Sequence, residues 1–315
     1  MPERYPDKVF LVLSLVTGKM HDGSRWGQPP VEPVTHWDGV PFLQGAENGL
    51  RAIRALIRYA DFLRARQAEP RPHPEPSAVA ERARALVRAS GGRPLVEREA
   101  KTVLSLYGIP VTRERLATSP EEALAAAREI GYPVVLKVES PDIAHKTEAG
   151  GVLLGVTGDD AVRQGFARIV ENARRYAPGA KVAGVLVQEM AAGGRELIVG
   201  MTVDPAFGPA IAVGLGGIFV ELLRDVALGV PPLTRRDCRA MLARLRAAPV
   251  LETGARGTGP ADLDAVVDIL IRFSQLCIDL QGEVSEIDIN PLVVFERGLG
   301  AKVVDCLIVP AKGAR

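Results

Sequence analysis

Lys137 closes an apolar run, YPVVLKV, and is followed by a polar loop, ESPDIAHKTEA, that ends on Gly150 and Gly151 before a second apolar run, VLLGV. The pattern predicts strand, loop, strand. Paired glycines let backbone N–H groups come close to an anion, so a loop of this kind is able to cover a phosphate chain. Lys137 adds a point positive charge, and His145 adds a ring nitrogen that serves as nucleophile or general base near neutral pH. Each feature also has an ordinary reading: a lysine at a strand end is usually solvated, and Gly-Gly is usually a turn. Near the C-terminus Glu286, Asp288 and Asn290 alternate with Ile287 and Ile289, which puts three oxygen-bearing side chains on one strand face. Asp305, in the paired run KVVDCLIV, is set to join them. A few oxygen ligands, completed by water and substrate phosphates, are what Mg²⁺ requires. Taken alone, that segment reads first as the solvated face of an antiparallel strand.

The elements that must position these residues follow from local signals. LVEREAKTVLSLYGIPV reads as a helix with Gly108 at C′ and Pro110 beyond its end. Ser119-Pro120-Glu121-Glu122 supplies an N-cap, a proline at the first helical position and a glutamate three residues after the cap, opening a helix over 120 to 130. Strands near 111 to 117, 133 to 138, 151 to 156 and 182 to 190 alternate with helices over 120 to 130 and 160 to 176, an α/β pattern in which the short strand-loop-strand returns demand antiparallel pairing as well. GVLVQEM, within the strand at 182 to 190, is a buried run, ELIVGMTVD is a further strand, and GPAIAVGLGGIFVELL is a glycine-rich turn between apolar runs; helices follow near 234 to 247 and 260 to 280, then EVSEIDINPLVVFERGLGAKVVDCLIV as two strands and a glycine-containing hairpin.

Residues 1 to 66 read as a fragment. Leu50, Ile53, Leu56, Ile57, Ala60 and Leu63 recur at helical spacing, so this helix has an apolar face that calls for burial, yet one helix and one or two strands make too small a core. QAEPRPHPEPS, with four prolines in eleven residues, reads as an extended linker, and a short Ala/Arg helix follows it. The expected division is 1–66, a linker with a short helix over 67–93, and a main domain over 94–315.

Composition removes several function classes. The 315 residues are 47% hydrophobic and 24% charged, an ordinary globular balance. With 39 basic against 38 acidic residues there is no net field to attract nucleic acid or an anionic membrane, and neither is expected as a partner. Cys238, Cys277 and Cys306 lie far apart and form no CxxC, so reduced thiols are favoured over a disulfide or a zinc site. VFLVLSLVTG is flanked by balanced charge and lacks a small-residue cleavage site, so a core strand is favoured over a signal segment and a cytoplasmic chain is expected.

From about Leu95 onward the chain resembles the ATP-grasp portion of the NDP-forming acyl-CoA synthetases, relatives of succinyl-CoA synthetase. YPVVLKV, SPDIAHKTEAGGV, VLVQEM, GGRELIVG, DPAFGPAIAVGLGGIFVELLRDV, PLT and SEIDINPL stand in the family's order and spacing. The resemblance implies an α+β ATP-grasp fold whose two subdomains clasp ATP, and a reaction of acid, CoA and ATP giving acyl-CoA, ADP and phosphate through phosphohistidine and acyl phosphate. It places Lys137 on the nucleotide phosphates, Gly150 and Gly151 in the loop covering them, Glu189 and Met190 at the adenine edge, and Glu196 in the nucleotide pocket. Asn290 and Asp305, with Asp288 close by, match its magnesium ligands. Glu221, after the glycine turn Gly214 to Gly217, falls in the segment facing an incoming phosphohistidine loop. His145 resembles the relaying histidine proposed for some members, although a loop-orienting role also suits it.

Residues 1 to 66 resemble the tail of the flavodoxin-like ligase domain of single-chain members. The CoA-binding Rossmann domain and the glycine-rich loop with the principal catalytic histidine are absent from this sequence. The resemblance therefore implies a partner subunit that carries both and binds most of the CoA, and a small carboxylic acid as substrate. Two other readings remain open: a different ATP-grasp carboxylate ligase, and a nucleotide-binding regulatory module that does not turn ATP over.

Overall fold

The computed structural model describes residues 10–14, 36–37, 40–68, 75–143, 146–216, 225–254 and 257–311, and the chain divides into two compact units, Met1–Pro70 and Arg71–Arg315. In the first unit β1 (Val12–Ser14) pairs in parallel with β3 (Val40–Gln44), which pairs antiparallel with β2 (His36–Trp37), and α1 (Ala46–Ala68) follows. Gly49 sits against the Leu13 side chain where a Cβ has no room, so the helix meets β1 at close range. The apolar face of α1 is not enclosed: Leu50, Leu56 and Ile57 are 56–60% exposed. Periodicity identified a face suited to burial, but the three short strands among the described residues of this unit do not cover a helix of 23 residues.

Among the described residues, the second unit holds two antiparallel sheets. In the first, β4 (Glu114–Ala117), β5 (Val134–Glu139), β6 (Val152–Val156) and β7 (Gly184–Glu189) lie in the order β4-β7-β5-β6. Its core is completed by α4 (Pro120–Ile130) and α5 (Asp159–Tyr176), through residues such as Ala127, Ile130, Val162 and Ile169. The cap of α4 forms as expected with one shift. Ser119 Oγ accepts from Glu122 N at 3.2 Å, whereas the Glu122 carboxylate reaches back past the cap to Thr118 N at 2.7 Å.

The second sheet, of six strands, runs β10 (Val226–Gly229), β9 (Gly208–Leu215), β8 (Arg195–Asp204), β11 (Val284–Val294) and β12 (Ala301–Val303), with β13 (Cys306–Pro310) also on β11. One face packs on α3 (Glu97–Leu106), α6 (Arg235–Arg244), α7 (Ala248–Thr253) and α8 (Leu263–Asp279). Val266, Val267, Leu270, Phe273 and Cys277 of α8 are all buried there, the outcome that 3.6-residue periodicity predicts. The short helix α2 (Ala80–Ala89) joins the same core through Ala83 and Val87. Residues 75–77 are tied to α8 as well: Gln275 donates to Glu75 O and Ser77 N donates to Asp279. The described part of the proline-rich stretch thus ends anchored. The three cysteines are free and buried, and among the described residues no helix is long and apolar enough to cross a membrane.

Candidate functional site: a lysine cluster at a cleft between two sheets

Glu97 opens α3 and lies between the sheets with its side chain 1% exposed. Three lysines from three elements converge on it. Lys101, one turn along α3, and Lys137, on β5, place their ammonium groups 2.8 and 2.7 Å from Oε1, and Lys146, in the β5–β6 loop, pairs with Oε2. Gln188 on β7 donates to Oε1 at 2.9 Å. Burial would push the Glu97 carboxyl up, but Lys137, Lys101 and Lys146 outweigh it and hold the group far below the usual carboxylate range. Lys101 is shared with Thr112 Oγ1 at 2.9 Å and Glu114 Oε2 at 2.6 Å. Buried charges are tolerated only when compensated in this way.

The second sheet closes the site through a break in its edge. Val304 and Asp305 fall between β12 and β13, both antiparallel to β11. The Val304 carbonyl accepts from Lys137 Nζ at 3.3 Å and Gln188 Nε2 at 3.2 Å, so it links the two sheets. The Asp305 carboxylate lies 3.9 Å from Lys137 Nζ and 3.7 Å from Lys146 Nζ. Burial and the neighbouring Glu97 raise its pKa, against the pull of Lys137 and Lys146. Asn290 N donates to Asp305 O at 3.1 Å, fixing the break against β11.

A cleft of about 330 Å³ opens beside this cluster, lined among others by Glu97, Glu139, Lys146, Asp288, Asn290 and Asp305. Along β11 Ile287 and Ile289 are buried while Glu286, Asp288 and Asn290 take the other face, the alternation read from the sequence. Burial, then Glu286, raises the Asp288 pKa. Among the described residues no three His, Cys, Asp or Glu side chains cluster to hold a metal. Asp288, Asn290 and Asp305 nonetheless bring oxygen donors to one cleft, and this donor set suits a hard cation that keeps water and phosphate ligands. On the other wall Glu139 is buried, which raises its carboxyl pKa, and Arg98 Nε stands 3.4 Å away.

The remaining expected residues spread outward. Gly150 adopts φ +61°, and Gly151 faces Val138 Cγ1 and the Lys146 carbonyl where a Cβ has no room. Their N–H groups donate within the turn, to Thr147 O at 3.0 Å and Lys146 O at 2.8 Å. Glu189 ends β7 with its carboxylate held by Arg113 at 2.9 Å and Lys302 at 2.7 Å; burial raises its pKa and these partners bring it below the usual range. Met190 follows, 37% exposed. Glu196 is exposed on β8, and its carbonyl accepts from Gly216 N at 2.8 Å. His145 and Glu221 lie outside the described residues, as does Gly217. The sequence reading assigned nothing to Glu97, Lys101, Lys146 or Gln188. The available signal was polar side chains at core positions: Glu97 and Lys101 one turn apart among Ala100, Val103 and Leu104, and Gln188 inside the apolar strand GVLVQE.

Residues 86–309 match the ATP-grasp domain family. The chain is 48% identical over 223 residues to the acetate–CoA ligase [ADP-forming] II subunit beta of Pyrococcus furiosus, covering 71% of this chain and 94% of that one. Among solved structures it is similar to the dinucleotide-forming acetyl-coenzyme A synthetase 1 of Ca. Korarchaeum cryptofilum in complex with coenzyme A, Ca-AMPCP and HgCl+, at 43% identity and TM-score 0.69, covering 75% of this chain and 100% of that one. A second structure of that protein, with coenzyme A and Mg-AMPPCP and its phosphohistidine segment pointing towards the nucleotide binding site, matches at 40% identity and TM-score 0.64, covering 74% and 100%. The chain belongs to the ATP-grasp family, in the branch of the ADP-forming acetate–CoA ligase beta subunits.

Proposed function

We propose that this chain is the ATP-grasp subunit of an ADP-forming acyl-CoA synthetase, working with a partner subunit on a small carboxylic acid, CoA and ATP. The observation that carries this reading is the cleft itself, where the lysine cluster at Glu97 faces Asp288, Asn290 and Asp305 across the gap between the two sheets. The beta-subunit relative implies a partner. That this partner supplies a CoA-binding Rossmann domain and the principal phosphohistidine is the finer part of the proposal.

In this reading Lys137 steadies nucleotide phosphates, while the backbone beyond Glu189, at Met190, meets the adenine edge. Arg113 and Lys302 keep the Glu189 side chain fixed so that the strand end has one conformation. Glu196 completes the pocket, and Gly150 and Gly151 shape the loop over the phosphates. Asn290 and Asp305, with Asp288, would hold Mg²⁺, which when bound offsets phosphate charge. His145 accepts or relays the phosphoryl group through a neutral ring nitrogen, and Glu221 faces the partner's histidine loop.

Incubation of the chain with Mg²⁺ and γ-labelled ATP tests the histidine role directly. Acid-labile label on the parent and none on His145→Ala is the expected result. Bound ATP with label on neither protein would remove the relay from the mechanism. Failure to bind ATP at all would remove the subunit reading with it.

A further inference from the structure

A polyanion site built around a buried carboxylate needs a reason, because Glu97 repels phosphate and competes with it for lysine. The three lysines on Glu97 are not held equally. Lys101, with its side chain 2% exposed, has Thr112 and Glu114 as additional partners. Lys137, 7% exposed, also donates to the Val304 carbonyl within its strand-to-sheet contact. Lys146 is 17% exposed, sits on a loop rather than a helix or strand, and is paired with Glu97 and Asp305. Of the three, it is the one that lines the cleft.

On the nucleotide reading above, in which Lys137 acts on the phosphates from its fixed place beside Glu97, we infer that Lys146 is the lysine that changes partner to contact the phosphates of the bound nucleotide, and that Glu97 is the internal counter-ion from which phosphate oxygens take it. The exchange leaves no buried charge alone. Glu97 keeps Lys101, Lys137 and the Gln188 amide, so removing Lys146 from it is tolerable. Lys146 trades one carboxylate oxygen for a phosphate oxygen, contacts of similar strength. Glu97 thus keeps the lysine close to its place of use and lowers affinity by competing for it. The loop carrying Lys146 swaps partners while the strand carrying Lys137 stays fixed.

Calorimetric titration of the full chain with ADP and with adenosine, across a range of salt concentrations, tests the exchange. Lys146→Met is expected to weaken ADP about tenfold or more, the range of a charge-assisted contact, and to flatten its salt dependence. Adenosine, which has no phosphate, is expected to bind the variant and the parent alike. Glu97→Gln is expected to tighten ADP and leave adenosine unchanged. Unaltered ADP affinity in Lys146→Met, or equal weakening of ADP and adenosine, overturns the phosphate contact. Weaker ADP binding in a folded Glu97→Gln overturns the counter-ion role; should that variant not fold, Lys146→Met decides alone. A parent that binds neither ligand overturns the nucleotide reading and this inference together, a result distinct from a parent that binds ADP and a Lys146→Met that binds it equally well.

Discussion

Glu97 and Asp279 are both carboxylates with almost no exposure, and their partners differ in kind. Asp279, at the end of α8, accepts from neutral donors: Ser77 N and Oγ, Tyr107 OH at 2.9 Å and Gln275 Nε2 at 2.9 Å. All belong to elements packed in one core, and the result is a staple fastening residues 75–77 to the helix. Glu97 gathers cations from a helix, a strand and a loop beside an open cleft. A buried acid is therefore a poor sign of a binding site by itself. A buried acid whose partners are cations, one of them lining a cleft, is a better one.

Four substitutions break or sharpen that contrast. Glu97→Ala leaves three ammonium groups without their common partner, and chemical denaturation is expected to show a loss of about 3–5 kcal/mol, the cost of orphaning buried charge. Asp279→Ala is expected to cost about 2–4 kcal/mol by stranding several neutral donors while leaving ADP affinity intact; a matching fall in affinity would erase the distinction between staple and site. Ser119→Ala, far from both acids, removes only the N-cap bond to Glu122 N, and about 1 kcal/mol is expected in the same assay.

The fourth is read against pH. Asp262 caps α8 and accepts from Gly298 N and Gly300 N at 2.8 and 2.9 Å. Burial raises its pKa, but these backbone donors and that of Ala265 bring it below the value an aspartate has in the unfolded chain. Its contribution is fully present above that unfolded value and is lost as pH falls through the lower folded value. The stability deficit of Asp262→Asn is thus expected to be constant at neutral pH and to shrink below about pH 4 in acid denaturation. A deficit that does not change with pH would show that the carboxylate's charge has no part in capping.

Much of the frame was legible before the fold. Gly108 beyond α3, Ser119 before α4 and the Ile287/Ile289 alternation of β11 are local signals, and each element formed where its residues asked for it. The α1 face was legible too, but periodicity states which side seeks burial and not what covers it, and Leu50, Leu56 and Ile57 stay exposed. Of the site, the sequence yielded Lys137 and the acidic end of β11 because each stands in a distinctive run. Glu97 and Lys146 were missed because they are far apart in the chain, and only the meeting of α3 with the β5–β6 loop makes them neighbours.

The Val304 carbonyl has a consequence for how the second unit comes apart. The two sheets have separate apolar cores, and independent cores invite stepwise melting. Here one backbone oxygen accepts from Lys137 of the first sheet and from Gln188 beside it, and the lysine's other partner, Glu97, opens a helix packed on the second sheet. Neither core can loosen without exposing charges that the other holds neutral. Residues 71–315 are therefore expected to melt in a single calorimetric transition, with the charged seam acting as the source of cooperativity.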